Sequence, residues 1–483
     1  MPFMTPEQIA GLEKELEGTR ATVVHLGSGT YAKSIKRWSD TCEKEAGAIV
    51  YVTSTSEVSI TIRFARKNHI EFVVAGCGHS TSGASATHGG IVIDMAKMRK
   101  VLTDPASMTV AVQAGATWDD VNESTSPWHL AVVGSTASQV GVASSTLGGG
   151  YGWLTGRYGL IIDNLKSVKI VLASGEIKHV SEEEDGGAGN KDLFWAIRGA
   201  GQAFGVATEF TFAAHRIPAK LFGGFLSFSG DKLARITDFA NWFDEQQNPD
   251  SGFVFGFQAT PDSRSPTVIA TLFYNGTQEA AESVFHPILS LEPLIKETAM
   301  MSYTDLNRVS NIASPVLDSR KCSGGTNIHF PIDSRATSEL WNQFTWIVAG
   351  HNENHSRMGR SVLAIEMIPF NKVIDVPIEA TACANRGRFY NVGLLLCWHD
   401  PAHDSVMHLH RRSIISKIER WQADRHEGQQ VDAYANYAGH EYGAKYLFGP
   451  NLPRLQEVKR KYDPANVFHK WHNLVSQTEV HPA

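Results

Sequence analysis

The sequence predicts an α+β protein of more than one domain, and three observations lead to that prediction. A chain of 483 residues is too long for one compact core, because single cores stop growing at about 250–300 residues. Up to about residue 215, short predicted strands alternate with helices and glycine-rich loops. From about residue 220 to 400, alternating strands are mixed with amphipathic helices, which indicates a second domain with an antiparallel sheet.

The N-terminal part begins with a helix signal. Residues 5–8 (TPEQ) combine an N-cap, an N1 proline and a capping-box glutamine, so a helix is predicted to begin at Pro6. A second helix is predicted after a cap at Ser56. The strands predicted in this part are 48–52, 72–75, 91–93, 168–172 and 207–212. Those predicted in the middle part are 222–228, 253–259, 268–274, 362–368 and 390–398.

Composition and charge exclude several functions. The net charge of -6 and the lack of any basic stretch interleaved with aromatics argue against a nucleic-acid partner. The five cysteines are scattered without paired metal-ligand spacing, so no metal site is predicted. No apolar run is long enough to cross a membrane, and the N-terminus lacks a secretory signal. We therefore expect a cytoplasmic protein without a membrane partner.

Three glycine-rich turns, in residues 75–80, 148–152 and 199–201, indicate a backbone that closely approaches a large ligand. The first, residues 75–80, has the sequence AGCGHS and follows a predicted strand. It is not a Rossmann fingerprint, because Thr81 stands where the third glycine belongs and no helical pattern follows. The glycines on either side of Cys77 let successive amides converge on an anion such as a pyrophosphate, with His79 projecting from the loop. A tight turn with a hydrogen-bonded histidine would give the same local pattern.

This loop is similar to the pyrophosphate loop RGGGHS of the flavin oxidases of the vanillyl-alcohol-oxidase and berberine-bridge-enzyme type. Further matches lie in order along most of the chain. They are GGIVID at 89–94, VQAGATW at 112–118, GGGYG at 148–152, RYGL at 157–160 with DN at 163–164, DLFWAIRG at 192–199, YANY at 434–437 and KYDPANVF at 461–468.

The resemblance implies a discontinuous FAD-binding domain of the PCMH type, formed by residues 1–215 and 415–483. These enclose a substrate domain of residues 216–414. It also implies a covalent bond between FAD and His79. Further cofactor contacts implied by the resemblance are Gly76, Cys77, Gly78, Ser80, Gly83, Ala137, Val140, Gly141, Gly148, Gly150, Tyr151, Gly152, Gly205 and Asn436.

The sequence departs from the family pattern at three places near the cofactor. Ala75 replaces the arginine before the loop, and Cys77 replaces the middle glycine. Many relatives carry a second flavin tether, a cysteine, where this chain has Ala137, so His79 is the single tether expected. Valine at the position of Val140 accompanies fast oxygen reaction in relatives. Cys77 is interpreted as a structural residue, because no nearby lysine or arginine is visible in the sequence to lower the pKa of its thiol. His88 is interpreted as structural as well.

Tyr434 and Tyr151 are the candidate catalytic bases, although a generic tyrosine is more often a core aromatic. If 434–437 forms a strand, Tyr434 and Asn436 share one face and Tyr437 lies on the other. Residues 381–386 (TACANR) resemble the family's substrate-domain stretch TAFPHR. Asn385 and Arg386 are therefore possible substrate contacts, while a surface arginine paired with an acid is the alternative.

We expect an FAD-dependent oxidase that takes a proton and a hydride from a small organic molecule. The substrate would be an alcohol, an amine or an activated C–H compound of secondary metabolism, and dioxygen would reoxidise the flavin to give hydrogen peroxide. The alternatives are a dehydrogenase, an oxidative cyclase or pericyclase, and a non-catalytic flavin-binding protein. Fold alone does not choose among them.

Overall fold

The computed structural model describes residues 3–182, 190–260, 265–313, 319–352, 358–425, 433–439 and 442–475. Within these residues, no helix is both long and apolar enough to cross a membrane. The helices are α1 (Pro6–Glu15), α2 (Tyr31–Ser34), α3 (Thr55–Lys67), α4 (Trp118–Thr125), α5 (Val142–Leu147), α6 (Thr155–Tyr158), α7 (Lys191–Ala200), α8 (Leu233–Gln246), α9 (Gln278–Leu289), α10 (Tyr303–Val309), α11 (Ser334–Asn352), α12 (Asn371–Ile374), α13 (Asp404–Arg425), α14 (Ala444–Phe448) and α15 (Leu452–Tyr462).

The N-terminal strands form two sheets and a short ribbon. They are β1 (Thr22–His25), β2 (Ala48–Tyr51), β3 (Phe72–Ala75), β4 (Ile91–Asp94), β5 (Val101–Asp104), β6 (Thr109–Gln113), β7 (Leu130–Ala131), β8 (Leu165–Val171), β9 (Ile177–Ser181), β10 (Val206–Ala213) and β11 (His215–Arg216). One sheet has the order β1-β2-β4-β3, in which β4 pairs in parallel with β2 and β3. The other is antiparallel, with the order β5-β6-β10-β8-β9.

The middle of the chain forms one antiparallel sheet with the order β15-β12-β14-β13-β17-β18-β16. Its strands are β12 (Leu221–Phe228), β13 (Ser251–Gln258), β14 (Thr267–Tyr274), β15 (Ile295–Met301), β16 (Arg320–Ile328), β17 (Val362–Met367) and β18 (Tyr390–Trp398). Helices α8, α9, α11 and α13 share a hydrophobic core with this sheet. The opposite face of the sheet packs against the N-terminal part, whose core includes Leu221 and Phe273 of this sheet.

Sequence pattern locates ten of the eighteen strands and two of the fifteen helices of the described residues. The predicted α1 begins at Pro6, and the Thr5–Gln8 capping box is present. Each of the ten predicted strands is present to within three residues at either end. The predicted cap of α3 was wrong, because Ser54, whose backbone is extended, accepts the hydrogen bond from the Glu57 amide. Strands β15 and β16 were not predicted.

Two large hydrophobic cores contain most of the buried apolar side chains of the described residues, and two smaller clusters accompany them. The larger one joins the N-terminal sheets to residues of the C-terminal segment such as Leu455 and Leu474. The other lies between the seven-stranded sheet and its helices. The fold is therefore an α+β arrangement in which both chain ends build one core around an inserted sheet. The domain limits at 215 and 414 stay a prediction, and α13 crosses the second of them, with Met407 and Ile418 in the same core.

Candidate active site

The loop after β3 places His79 in the seam between the N-terminal part and the seven-stranded sheet. The ring of Trp38 stacks on the His79 imidazole, with ring centroids 5.3 Å apart and planes at 18°. The Trp38 amide donates to the Gly78 carbonyl at 3.3 Å. Burial lowers the pKa of His79 to about 4, and the nearby Lys321 ammonium acts in the same direction. The imidazole is therefore neutral at neutral pH.

One face of β16 runs along this seam. The Lys321 side chain is buried, and its ammonium donates to the Trp38 carbonyl and, at 3.1 Å, to the Ser319 carbonyl. Two residues further on, the Ser323 amide donates to the Thr81 hydroxyl at 3.1 Å. These contacts fix the His79 loop against the sheet, and they could not be predicted because β16 was not.

Cys77 lies on the inner side of the same loop. Its sulphur would be 2.8 Å from a Cβ at Gly141, so glycine is required there for the two segments to meet. Burial raises the pKa of the Cys77 thiol to about 11, which keeps it protonated. The structural role of Cys77 stays a prediction.

The segment 137–141 leads from this contact into α5. The Val140 carbonyl accepts from the Trp118 amide at 3.1 Å, and the Val140 amide donates to the Ala137 carbonyl at 3.4 Å. The Val140 side chain is half-buried against the larger core. Ala137 therefore lies in the loop that opens α5.

Several of the predicted cofactor glycines are close to other protein segments. A Cβ at Gly148 would lie 2.1 Å from the Asn436 side-chain oxygen, and one at Gly152 would lie 1.8 Å from the Gly134 carbonyl. A Cβ at Gly205 would meet the Val171 carbonyl at 2.6 Å. Packing already requires glycine at these three positions, so the close contacts do not by themselves indicate a ligand, and the cofactor contacts expected there stay a prediction.

Gly76 and Gly83 differ from those glycines because they border open space. A Cβ at Gly76 would have no neighbour closer than the Ala114 carbonyl at 3.8 Å, and one at Gly83 would have none within 4 Å among the described residues. Gly78 and Gly83 adopt positive φ values of 70° and 75°. The Ser80 hydroxyl, on the same loop, bonds the Ser82 hydroxyl at 2.7 Å.

Tyr434 and Asn436 are brought together by a turn. The predicted strand at 434–437 was wrong, since the Tyr437 amide donates to the Tyr434 carbonyl at 2.9 Å. The Asn436 amide nitrogen donates to the Tyr434 hydroxyl at 2.7 Å. This turn also places the Tyr437 ring beside that of Tyr434, with centroids 5.0 Å apart, rather than on the opposite face.

A carboxylate that sequence analysis missed joins these tyrosines. Glu366, on β17, accepts hydrogen bonds from the Tyr151 hydroxyl and, at 3.0 Å, from the Tyr437 hydroxyl. Burial raises the pKa of the Glu366 carboxyl, although both hydrogen bonds act against the rise. Burial raises the pKa values of Tyr151, Tyr434 and Tyr437 as well, so the phenols are protonated at neutral pH.

A pocket opens beside Tyr151 and Glu366, and its volume of about 370 Å³ includes the open solvent at its mouth. It lies where the N-terminal part meets the sheet. Its wall is formed by Tyr151, Thr155, Leu160, Glu366, Ile368, Phe370, Val373, Asn385, Gly387, Phe389, Tyr390 and Asn391. Aromatic and aliphatic side chains share this wall with several polar ones, among them Thr155, Glu366, Asn385 and Asn391, and such a mixture is typical of a site that binds and orients a small molecule.

Arg386 lies next to this wall in a buried ion pair. Its guanidinium donates to both Asp163 carboxylate oxygens, at 2.6 and 3.0 Å, and its side chain is 2% exposed. The predicted alternative of an acid partner is therefore present, but in the interior and not at the surface. Asn385 lines the pocket, as expected of a possible substrate contact.

Comparisons with known proteins agree on one family. A model described as "FAD binding domain" matches residues 46–181, and one described as "Berberine and berberine like" matches residues 433–474. The FAD-linked oxidoreductase pgmH of Aspergillus terreus is 33% identical over 97% of this chain and 96% of its own. The FAD-linked oxidoreductase hasG of Aspergillus fumigatus is 32% identical over 92% of this chain and 95% of its own.

Solved structures show the same fold. The 6-hydroxy-D-nicotine oxidase of Arthrobacter nicotinovorans superposes with a TM-score of 0.79 at 23% identity, covering 94% of this chain and 98% of that one. The xylooligosaccharide oxidase of Myceliophthora thermophila, in complex with xylobiose, gives 0.77 at 19% identity, covering 98% and 99%. Among the described residues, no group of three or more His, Cys, Asp or Glu side chains is arranged to hold a metal.

Proposed function

The chain belongs to the vanillyl-alcohol-oxidase and berberine-bridge-enzyme-like family of FAD-linked oxidoreductases, and from this premise we propose that it is an oxidase of a small organic molecule. The substrate would be an alcohol, an amine or an activated C–H compound of secondary metabolism, with dioxygen as the final electron acceptor. The observation that carries the proposal is the hydrogen-bonded group of Tyr151, Glu366 and Tyr437, two of which line a pocket of mixed polar and apolar side chains.

The residues present fit FAD. The open space beside Gly76 and Gly83 and the amides of this loop suit a pyrophosphate. Residues 137–141, Gly148, Gly150 and Asn436 would hold the rest of the cofactor. When bound, FAD supplies the hydride acceptor.

We propose His79 as the single covalent tether. A nitrogen can form a bond to the cofactor only through a free lone pair, and burial keeps the His79 imidazole in the neutral form. The stacked Trp38 ring fixes the plane of the imidazole. With Ala137 at the position of the second tether, no thioether is expected.

The substrate proton needs an acceptor, and Glu366 is the strongest candidate. A protonated phenol accepts a proton only if it passes its own proton on, and the Tyr151 hydroxyl already donates to the Glu366 carboxylate. We therefore propose transfer from the substrate through Tyr151 to Glu366. Tyr434 is the second candidate, because the amides of Asn436 and Gly150 donate to its oxygen and favour the phenolate.

Anaerobic photometry of the flavin tests the proposal. We expect at least one member of a panel of alcohols, amines, sugars and phenolic metabolites to bleach the flavin. Admitting air should then restore the colour and release hydrogen peroxide. Slow recovery in air would favour the dehydrogenase. A product formed without net bleaching would favour the cyclase or pericyclase, and failure of every donor would support a non-catalytic flavoprotein.

A further inference from the structure

We infer that the pocket beside Tyr151 binds a neutral substrate through a hydroxyl group that pairs with the side-chain amides of Asn391 and Asn327. This inference rests on the proposed function, since it assumes that this pocket is the substrate site. It adds the substrate's chemical class and two specificity-determining residues.

The two asparagines stand in one row with Glu366. On the adjacent strands β17, β18 and β16, Glu366 is the cross-strand partner of Asn391, and Asn391 is the partner of Asn327. Directly opposed residues of paired strands project to the same face of a sheet. Next to Asn391 along β18, Val392 belongs to the core on the other face. The row therefore extends from the proposed proton acceptor along the face that meets the tyrosines.

Two polar side-chain atoms in this row lack a hydrogen-bond partner among the described residues. Among the described residues, the Asn391 side-chain oxygen and the Asn327 side-chain nitrogen are buried without a hydrogen-bond partner. The Asn327 oxygen accepts from the Asn385 amide at 3.4 Å. Buried polar groups are nearly always paired, and leaving them unpaired destabilises a fold. Asn391 lines the pocket; Asn327 does not, but it pairs across the strands with Asn391 and bonds Asn385, which also lines the pocket. A partner that enters from the pocket between Asn391 and Asn385 would account for both atoms.

A hydroxyl is the group that satisfies both atoms together. It donates one hydrogen bond, to the Asn391 oxygen, and accepts from the Asn327 nitrogen. An ether oxygen only accepts, so it would leave the Asn391 oxygen unpaired.

The charge of the pocket disfavours an anionic substrate. Among the described residues, no lysine, arginine or histidine lines the pocket, and Glu366 is its only carboxyl group. The nearest guanidinium, that of Arg386, is already paired with both oxygens of Asp163. A carboxylate in the substrate would be desolvated beside Glu366 without a free cation. The rings of Phe370 and Phe389 offer an apolar wall that suits an aromatic or other apolar body.

Three probes test the inference on the flavin-loaded enzyme by calorimetry and by the shift of the flavin absorption spectrum. Phenol carries the hydroxyl, anisole replaces it with a methyl ether, and benzoate replaces it with a charge. We expect phenol to bind at least about tenfold more tightly than anisole, because the lost hydrogen bond leaves a buried acceptor unpaired. Benzoate should bind more weakly than either.

Two variants test whether the side-chain amides cause the preference for phenol over anisole. Asn391→Leu and Asn327→Leu should each reduce phenol binding to the level of anisole while anisole binding stays unchanged, which also shows that the pocket is intact. If one variant fails to fold, the other still decides. Equal binding of phenol and anisole to the wild type, tight binding of benzoate, or no binding of phenol would overturn the inference. Flavin bleaching by any donor would leave the proposed function standing in each of those cases.

Discussion

The hydroxyl of Tyr151 donates a hydrogen bond to the carboxylate of Glu366, although the two residues are 215 positions apart in the chain. Tyr151 comes from the glycine cluster of the N-terminal part, and Glu366 comes from β17 of the inserted sheet. The bond therefore crosses the seam between the two parts of the molecule. Proton transfer, as proposed, depends on the correct docking of the sheet as well as on the two side chains.

Replacing Glu366 tests its role as proton acceptor. Glu366→Gln keeps the size of the side chain but removes the basic carboxylate. We expect anaerobic flavin reduction to slow by about 10²–10⁴-fold, the usual contribution of a positioned base. Flavin content, measured by absorbance, should not change. Tyr437→Phe is the matched control, because it removes the second hydrogen bond to Glu366 and retains the carboxylate. A reduction rate for Glu366→Gln equal to that of the wild type would exclude the role.

The pH dependence of reduction follows from the same carboxyl group. Burial raises the pKa of Glu366, so its carboxylate is lost as the pH falls through a value higher than that of an ordinary glutamate. The reduction rate should therefore decline on the acid side with an apparent pKa above about 4.3, the reference value for glutamate. Stopped-flow measurements across pH, made on wild type and on Glu366→Gln, check this. The acid limb must be absent from the variant.

Glu366 shows where sequence analysis fell short. Its strand was predicted at 362–368 and found as Val362–Met367, but a glutamate in an alternating strand is typical of a solvent-exposed face. Only the pairing with β18 and the approach of Tyr151 and Tyr437 make that face internal. Such long-range contacts leave no local pattern. Tyr151 was a candidate because it lies in the glycine cluster 148–152 and matches a tyrosine of the family, and its role stays a prediction.

Tyr434→Phe compares the two candidate bases. If Tyr434 is the base, its loss should slow anaerobic flavin reduction by at least about 10²-fold. If the proton passes through Tyr151, the same loss of rate should occur in Tyr151→Phe, and Tyr434→Phe should stay within a few-fold of wild type. Rates measured in both variants under identical conditions separate the two routes. Retained flavin absorbance shows that neither variant has lost its cofactor.

The pairing of Tyr434 with Asn436 was predicted for the wrong reason. We expected strand alternation, and the structure has a turn in which residues three apart also meet, so Tyr437 joins the same group. Strand β16 was missed because its centre, Ser323 to Thr326, contains two successive glycines that break the apolar pattern. Strand β15 was missed because its side chains are mostly exposed and show no buried alternation. Local pattern thus located the five central strands of the sheet and missed both edge strands.

His79→Ala tests the covalent tether. Wild-type protein precipitated with acid should stay yellow and give a fluorescent band on a denaturing gel. The variant should release its flavin on denaturation, because no other bond to the cofactor is expected with Ala137 at the second position. Trp38→Leu removes the ring that stacks on His79 and should lower the covalent fraction, whereas Trp38→Phe should retain it. A colourless precipitate from the wild type would rule out the tether.

The rate at which dioxygen reoxidises the reduced flavin is expected to depend on the side chain of Val140. Val140 lies in the loop before α5, half-buried against the larger core, with its carbonyl bonded to the Trp118 amide. The family resemblance implies that this loop borders the reactive face of the flavin. Because protein interiors are close-packed, one added methylene fills space that dioxygen would need. The backbone bonds hold the residue in place, so the larger side chain cannot easily move away.

Val140→Leu should therefore leave anaerobic reduction by the substrate nearly unchanged. Reoxidation of the reduced flavin by dioxygen should slow at least about tenfold, a free-energy difference of about 1.4 kcal/mol in the barrier. Stopped-flow mixing of reduced enzyme with aerated buffer measures this step directly. Val140→Ala is the matched control, because it enlarges the same space and should react with dioxygen at least as fast as wild type. Equal reoxidation rates in Val140→Leu and wild type would show that Val140 does not control access, and they would weaken the case for an oxidase.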